Sequence, residues 1–190
     1  MKKLRIECPL DQQYADLYEA ALRVSASYLE RINAAIKLNE GRRLFTHYLI
    51  SVRITGPSSW RANWIKKNYV KDTEASQKKA KKLRPSKVAK AGETLGVAIP
   101  QGGKFQYAAA TFRYMPIEIR NIALRHESLL ADLRKQAFEN RQLKKSTYYA
   151  IARTKEVISA TDDAIKASDI LSELNSSPQT GFDSSDDTPR

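Results

Sequence analysis

The chain is poor in cysteine, in histidine and in long apolar runs. A single cysteine, Cys8, excludes an internal disulfide framework and a cysteine-rich zinc site. The two histidines, His47 and His126, fall in different predicted elements, so no local pattern indicates a nucleophile–base pair or a histidine-bearing relaxase site. No run of about eighteen apolar residues occurs, and the charged opening MKKLRIECPL does not resemble a signal peptide. We therefore expect a cytoplasmic protein that neither enters nor spans a membrane.

Acidic residues are scarce in the middle of the chain. Between Gly41 and Ile117 the only acids are Asp72, Glu74 and Glu93, and they lie within or beside the most basic region. A metal-dependent nuclease needs several carboxylates that converge on an ion. We therefore expect no catalytic residue, no bound metal and no cofactor, and we predict that the protein is not an enzyme.

Positive charge is the property that the chain has in excess. It contains 33 Lys and Arg residues against 21 Asp and Glu residues, a formal net charge of +12. Such an imbalance favours a polyanionic partner, although a basic protein that merely stays soluble is the simpler alternative. The hydrophobic fraction of 42% is enough to fill a core, so we do not expect a wholly disordered chain.

The positive charge is concentrated in residues 60–90, which we call the basic segment. It carries eleven cationic side chains against two acids, with three aromatic residues at its front end. Cations neutralise phosphates, and flat rings stack on bases, so the segment predicts nucleic-acid binding, with duplex DNA favoured and RNA left open. The tryptophans and the tyrosine would stack or anchor the segment, although a buried tryptophan is the alternative. The predicted binding residues are Trp60, Arg61, Trp64, Lys66, Lys67, Tyr69, Lys71, Lys78, Lys79, Lys81, Lys82, Arg84 and Lys87.

Hydrophobic periodicity predicts an α+β fold. An N-terminal helix would begin at a cap on Asp11 and end at Gly41, with one apolar stripe from Tyr14 to Ala35. Alternating residues predict a strand over 44–55. For 60–70, tryptophans four residues apart fit one face of a helix that Ser58 or Ser59 would cap, and they also fit one side of a strand.

Residues 92–114 read as a β-hairpin with a turn at 100–103. Pro116 then starts the longest helix, whose apolar stripe is Ile119, Ile122, His126, Leu129, Leu130, Leu133 and Ala137. The architecture predicted is a small antiparallel sheet packed on two long helices. It forms a single domain, 1–174, that includes the basic arm 60–90, followed by a disordered acidic tail, 175–190.

The end of the long helix is left open by the sequence. The helix continues to about Ile158 or breaks near Asn140 or Lys145, and Thr161 would cap a last short helix. Residues 143–157 resemble a DNA recognition helix that starts at Ser146, while the alternative is continuation of the long helix with Tyr148 and Ile151 on a buried face. The acids after 161 either compete for the basic segment or form a solvated end.

The order of features in the middle of the chain resembles the MobI-type conjugative transfer proteins. The resemblance rests on YLISVRITG, the aromatic and basic residues from Trp60 to Lys71, GGKFQYAAATF and RHESLLADLRKQA. It implies a relaxosome accessory factor that recognises an origin of transfer and works with a separate relaxase. The alternative is a protein-interaction adaptor or homo-oligomer whose basic segment grips an acidic protein.

Overall fold

The structure is a computed structural model that describes residues 3–39, 44–83, 85 and 90–176, with the backbone alone for 169–176. Its elements are α1 (Pro9–Leu38), β1 (Tyr48–Gly56), β2 (Ser59–Tyr69), α2 (Glu74–Leu83), β3 (Thr94–Ala98), a short 3₁₀-helix (Ala109–Phe112) and α3 (Ile117–Ser176). The predicted α+β class, with a small antiparallel sheet, is confirmed. The chain divides into two compact units, Met1–Leu143 and Lys144–Arg190.

Helix α1 begins two residues before the predicted cap. Pro9 occupies the first turn, where a missing N–H is harmless. The Asp11 carboxylate accepts hydrogen bonds from the backbone N–H of Glu7 at 3.0 Å and from the Cys8 thiol at 3.4 Å, which fixes the entering chain. The predicted apolar stripe is confirmed, since Tyr14, Ala21, Tyr28 and Ile32 are buried. The predicted stop at Gly41 lies outside the described residues.

The sheet has the order β1-β2-β3, and both pairings are antiparallel. In the β1–β2 pair, Ile50 faces Trp64 and Ile54 faces Trp60. Alternate residues of β2 point into the core, because Trp60, Ala62 and Trp64 are buried while Arg61 is exposed. The strand interpretation of 60–70 is therefore confirmed and the helical one is wrong.

The predicted hairpin at 92–114 is wrong in its second arm. Its first arm is β3, which pairs with β2. The backbone groups of the second arm are bound by side chains of α3 instead. The N–H of Tyr107 donates to Glu127 Oε1 at 2.8 Å, and the carbonyl of Phe105 accepts from Arg134 Nη1 at 2.8 Å. Because these groups are satisfied by a helix, they do not form a ladder with β3.

A buried ion pair joins α3 to the sheet. Glu127, 1% exposed, accepts from Trp64 Nε1 at 2.5 Å and from Arg134 Nη1 at 2.9 Å. Arg134 also donates from Nε to the carbonyl of Ala62 at 2.9 Å. Two charges are thus buried with most of their hydrogen-bonding capacity used, which is the condition under which a buried pair is tolerated.

Tyr28 lies where α1 crosses the sheet. Its hydroxyl donates to the carbonyl of Tyr48 at 3.2 Å, and its ring meets Trp64 edge-on with centroids 4.9 Å apart. Burial raises the pKa of Tyr28 to about 12, against a smaller lowering by the Thr46 side chain. The neutral phenol is therefore the form that the folded core favours.

Helix α3 continues without a break from Ile117 to Ser176. The predicted breaks at Asn140 and Lys145 and the separate last helix are therefore wrong, and Ser146 starts no new helix. Its first part buries Ile119, Ala123, Leu130 and Ala137 in the core, and His126 on the same part is also buried. Tyr148 and Ile151 are exposed, which corrects the expectation that continuation would bury them. The predicted tail began at residue 175, but residues 175 and 176 belong to α3, and 177–190 lie outside the described residues.

Candidate nucleic-acid interface

The short helix α2 is attached to the end of β2 by its own capping residues. Thr73 precedes the helix, and its hydroxyl accepts from the N–H of Ser76 at 3.3 Å. This is an N-cap, which satisfies a donor that the first turn leaves free. The Ser76 hydroxyl in turn accepts from the N–H of Lys71 at 2.9 Å. The chain between β2 and α2 is thereby held in a fixed turn.

One side of α2 packs on the sheet through a small cluster of Val70, Ala80 and Leu95. This cluster is separate from the main core. Beside it, between the end of β2 and α2, lies a groove of about 500 Å³. We call it the α2 groove. Its described lining residues are His47, Lys66, Lys67, Asn68, Tyr69, Val70, Lys71, Ala75, Ser76, Lys79, Ala80, Leu83 and Leu95.

The α2 groove is cationic. Four of the described lining residues are lysines, and none of those lining residues is an Asp or a Glu. The Lys66 ammonium lies 5.7 Å from the centre of the ring of Tyr48, its cross-strand neighbour, at a cation–π distance. Tyr69 is 61% exposed and presents an open ring at the same place. The groove therefore combines hydrogen-bond donors, positive charge and one aromatic face.

The other lysines of α2 lie away from the groove. Residues 75, 76, 79, 80 and 83 line it, at the spacing of one helix face, so Lys78, Lys81 and Lys82 belong to the rest of the helix surface. Lys78 forms an exposed ion pair with Glu74 at 2.6 Å. Of the binding residues predicted on α2, the groove therefore contains Lys79, alongside Lys66, Lys67, Tyr69 and Lys71 from β2 and the turn that follows it.

The stacking role predicted for the two tryptophans needs correction. Trp64 is fully buried, with its ring edge-on to Tyr28 and Phe112. Trp60 is 6% exposed and packs against Tyr14. Both rings lie on the inward face of β2, so neither offers a surface to a base. The sequence left burial of one tryptophan open as the alternative to stacking, and in the structure both tryptophans are buried.

Arg61 lies outside the α2 groove. It is exposed, it faces Arg53 directly in the β1–β2 pair, and it lines a second cavity of about 400 Å³ together with Arg134 and Arg141. Two cations opposite each other on neighbouring strands repel, so Arg61 is not held in place by its cross-strand neighbour. Arg84 and Lys87, also predicted to bind, lie outside the described residues.

Sequence reasoning missed His47. It lines the groove, because its carbonyl accepts from the N–H of Lys67 at 2.6 Å and extends the β1–β2 pairing by one position. The tight turn after Gly56 indicates that two antiparallel strands pair, but the pairing shifts by one residue between Ile54 and Gly56. That shift brings residue 47 beside residue 67.

Neither a family model, nor a curated protein, nor a solved structure matches the chain.

Within the described part of the chain, no group of three or more His, Cys, Asp or Glu residues could hold a metal ion. In the same part of the chain, no helix is long and apolar enough to cross a bilayer. What the α2 groove offers is binding: four ammonium groups and one open phenol ring, which suit phosphates and a sugar or base.

Proposed function

We propose that the protein binds nucleic acid through the α2 groove and acts as an accessory DNA-binding factor. The observation that carries the proposal is the convergence of Lys66, Lys67, Lys71 and Lys79 on one groove whose described lining has no acid. Lysine is a strongly hydrated point charge that suits phosphates, and phosphate contacts carry no sequence information directly. Binding would therefore be largely independent of sequence and strongly dependent on salt.

Duplex DNA is the form that we propose as the ligand. Single-strand binders present several aromatic faces for successive bases. Here Trp60 and Trp64 are buried, and Tyr69 is the one ring of the basic segment that is exposed. A groove with many cations and one ring suits a phosphate backbone better than a row of unstacked bases. Recognition of an origin of transfer, which the resemblance to MobI-type proteins implies, is part of the proposal and would require contacts beyond these lysines.

The test is fluorescence anisotropy with a labelled duplex, titrated at several salt concentrations. Replacing both Lys71 and Lys79 with alanine removes two groove cations and should lower the slope of log K against log salt by about 1.8, since each phosphate contact contributes about 0.9. The matched control replaces Lys81 and Lys82 with alanine. Both variants have the same net charge, so they differ only in whether the lost cations line the groove.

The expected result is a clear loss of slope in the groove variant and a smaller one in the control. Equal losses would mean that the helix binds by diffuse charge, and an unchanged slope in both variants would refute the interface.

Tyr69→Ala distinguishes single-stranded from duplex nucleic acid as the ligand. A loss of affinity for single strands, larger than the loss for duplex, would indicate stacking and would argue against duplex as the ligand.

Two further measurements address the partner. Selection from a random duplex library would test origin recognition, because enrichment of one sequence requires base readout, which phosphate contacts do not provide. A titration with polyglutamate at matched charge tests the protein-interaction alternative. Stronger binding of polyglutamate than of duplex would assign the groove to an acidic protein.

A further inference from the structure

The unit Lys144–Arg190 contains a helix surface that the nucleic-acid proposal does not use. In its described part, 144–168, every side chain except Lys144 and Ala152 is exposed. Large apolar residues are among them: Ile151, Ile158 and Ile165 are 52%, 55% and 54% exposed. Fully solvated helices are normally polar all round, and regularly spaced exposed apolar residues mark a surface that is covered by another element.

The spacing of these residues is that of a coiled coil. The three isoleucines are seven residues apart, and hydroxyl residues occupy the positions three or four residues from each of them. With isoleucine at position a of the heptad, position d is Thr147, Thr154, Thr161 and Ser168. The repeat lasts about three heptads, long enough for a two-helix seam. Position g adds apolar contact through Leu143, Ala150, Val157 and Ala164.

The threonines at position d are suited to a buried seam. The Thr154 hydroxyl donates to the carbonyl of Ala150 at 2.9 Å, and the Thr161 hydroxyl donates to the carbonyl of Val157 at 2.9 Å. Each hydroxyl is thus satisfied within its own helix, so its burial would leave no donor without a partner. The methyl group of each threonine remains available for packing against an isoleucine.

We propose that this helix surface pairs with the same surface of a second copy of the chain, in antiparallel orientation. The argument is charge complementarity. Residues 144–156 contain four basic residues and one acid, whereas residues 157–168 contain two acids and one lysine. A parallel pair would bring the basic halves together. An antiparallel pair brings the basic half of each helix against the acidic half of the other.

The register follows from the same residues. In an antiparallel coiled coil, position a packs against position d of the partner, so Ile158 meets the partner's Thr161 and Ile151 meets the partner's Ser168. That register also sets position e against position e, where Lys155 faces the partner's Asp162. The two-fold axis repeats each of these contacts, as an isologous interface requires.

The first test is sedimentation of the full chain over a range of protein concentrations, up to about 100 μM. The chain should form a dimer, and Ile158→Asp should weaken it by roughly tenfold or more, because a charge would be buried in the seam. Ala160→Asp is the matched control, since it adds the same charge to the opposite side of the helix. A wild-type chain that stays monomeric, or a dimer that Ile158→Asp leaves intact, would overturn the proposal.

Orientation is tested by charge reversal and by cross-linking. Lys155→Asp should weaken the dimer, and adding Asp162→Lys to it should restore the affinity. In a Cys8→Ser background, chains carrying Ile151→Cys should form a disulfide with chains carrying Ser168→Cys and not with one another. Cross-linking within the Ile151→Cys chains alone would show a parallel pair and refute the antiparallel register.

Discussion

The contact between Glu127 and Arg134 makes a strong prediction about stability. Glu127→Ala removes the acceptor of Trp64 Nε1, of the Tyr107 N–H and of the Arg134 guanidinium, all of them buried or nearly so. Arg134, with its side chain 10% exposed, would remain as a buried charge without its counter-ion. Breaking a buried pair in this way costs about 3–5 kcal/mol, and the two N–H groups that lose an acceptor increase the loss.

That loss is a large part of the stability of an ordinary domain, which is about 5–15 kcal/mol. We therefore expect Glu127→Ala to be partly unfolded in buffer. Glu127→Gln is the variant that can be measured quantitatively, because it keeps the shape and one carbonyl acceptor while it removes the charge. Its free energy of unfolding should fall by roughly 3 kcal/mol or more, because Arg134 is left as a buried charge without its counter-ion.

The assay is urea unfolding, followed by the emission of the buried tryptophans. Glu139→Gln serves as the control, because its carboxylate is half exposed and lies 4.0 Å from Lys135, so its loss should change stability by less than about 0.5 kcal/mol. If Glu127→Gln lowered the free energy of unfolding no more than Glu139→Gln does, the buried pair would not hold α3 to the sheet. An Arg134→Met change made on top of Glu127→Gln should cost less than it does alone, since it removes the unpaired charge.

Two further predictions concern Tyr28 and Gly92. Because the pKa of Tyr28 is raised to about 12 in the folded chain, its contribution to stability is present below about pH 10 and is lost as the pH rises through about 12. The free energy of unfolding of the wild type, measured relative to Tyr28→Phe, should fall by roughly 1.3 kcal/mol between about pH 9 and pH 11; a constant difference would contradict the burial of the phenol. Gly92 has φ of 84°, so Gly92→Ala should destabilise by about 1–2 kcal/mol in the same urea assay. Gly102→Ala, where an added Cβ meets nothing within 4 Å, should change stability by less than about 0.5 kcal/mol, and equal effects of the two changes would contradict the strain argument.

Much of the fold follows from local sequence signals. The stripe of α1 and the alternation of β1 correctly predict a buried helix face and a half-buried strand. The unbroken length of α3 was also present in the sequence, because no glycine or proline occurs from Ile117 to Ser176. The capping residue predicted at Thr161 indicated a separate last helix instead. Thr161 in fact bonds the carbonyl of Val157 inside the helix, which removes the need for a cap.

The errors arise where distant residues decide the outcome. Tryptophans four residues apart fit a helix and a strand equally well, and the pairing with β1 decided for the strand. The second arm of the expected hairpin had suitable residues, but Glu127 and Arg134, about twenty to thirty positions later in the chain, bind its backbone groups. No pattern within the segment itself could reveal that competition.

The candidate site was predictable only in part, because packing between distant residues decides which side chains line the groove. Charge alone indicated the basic segment, and five of its predicted residues, Lys66, Lys67, Tyr69, Lys71 and Lys79, meet in the α2 groove. Charge could not reveal which lysines of α2 face the sheet, because that depends on where Ala80 packs. Nor could it reveal His47, whose place follows from the strand register.

The separate packing of α2 has a consequence for how the groove would behave. One wall of the groove rests on Val70, Ala80 and Leu95, a cluster that is distinct from the core around Trp64. So few buried contacts allow α2 to unfold locally while the rest of the sheet stays folded. A polyanion that bridges β2 and α2 would then bind only the closed form, and its apparent affinity would be the intrinsic affinity multiplied by the closed fraction. The strength of an apolar contact that never touches the ligand would therefore tune its binding.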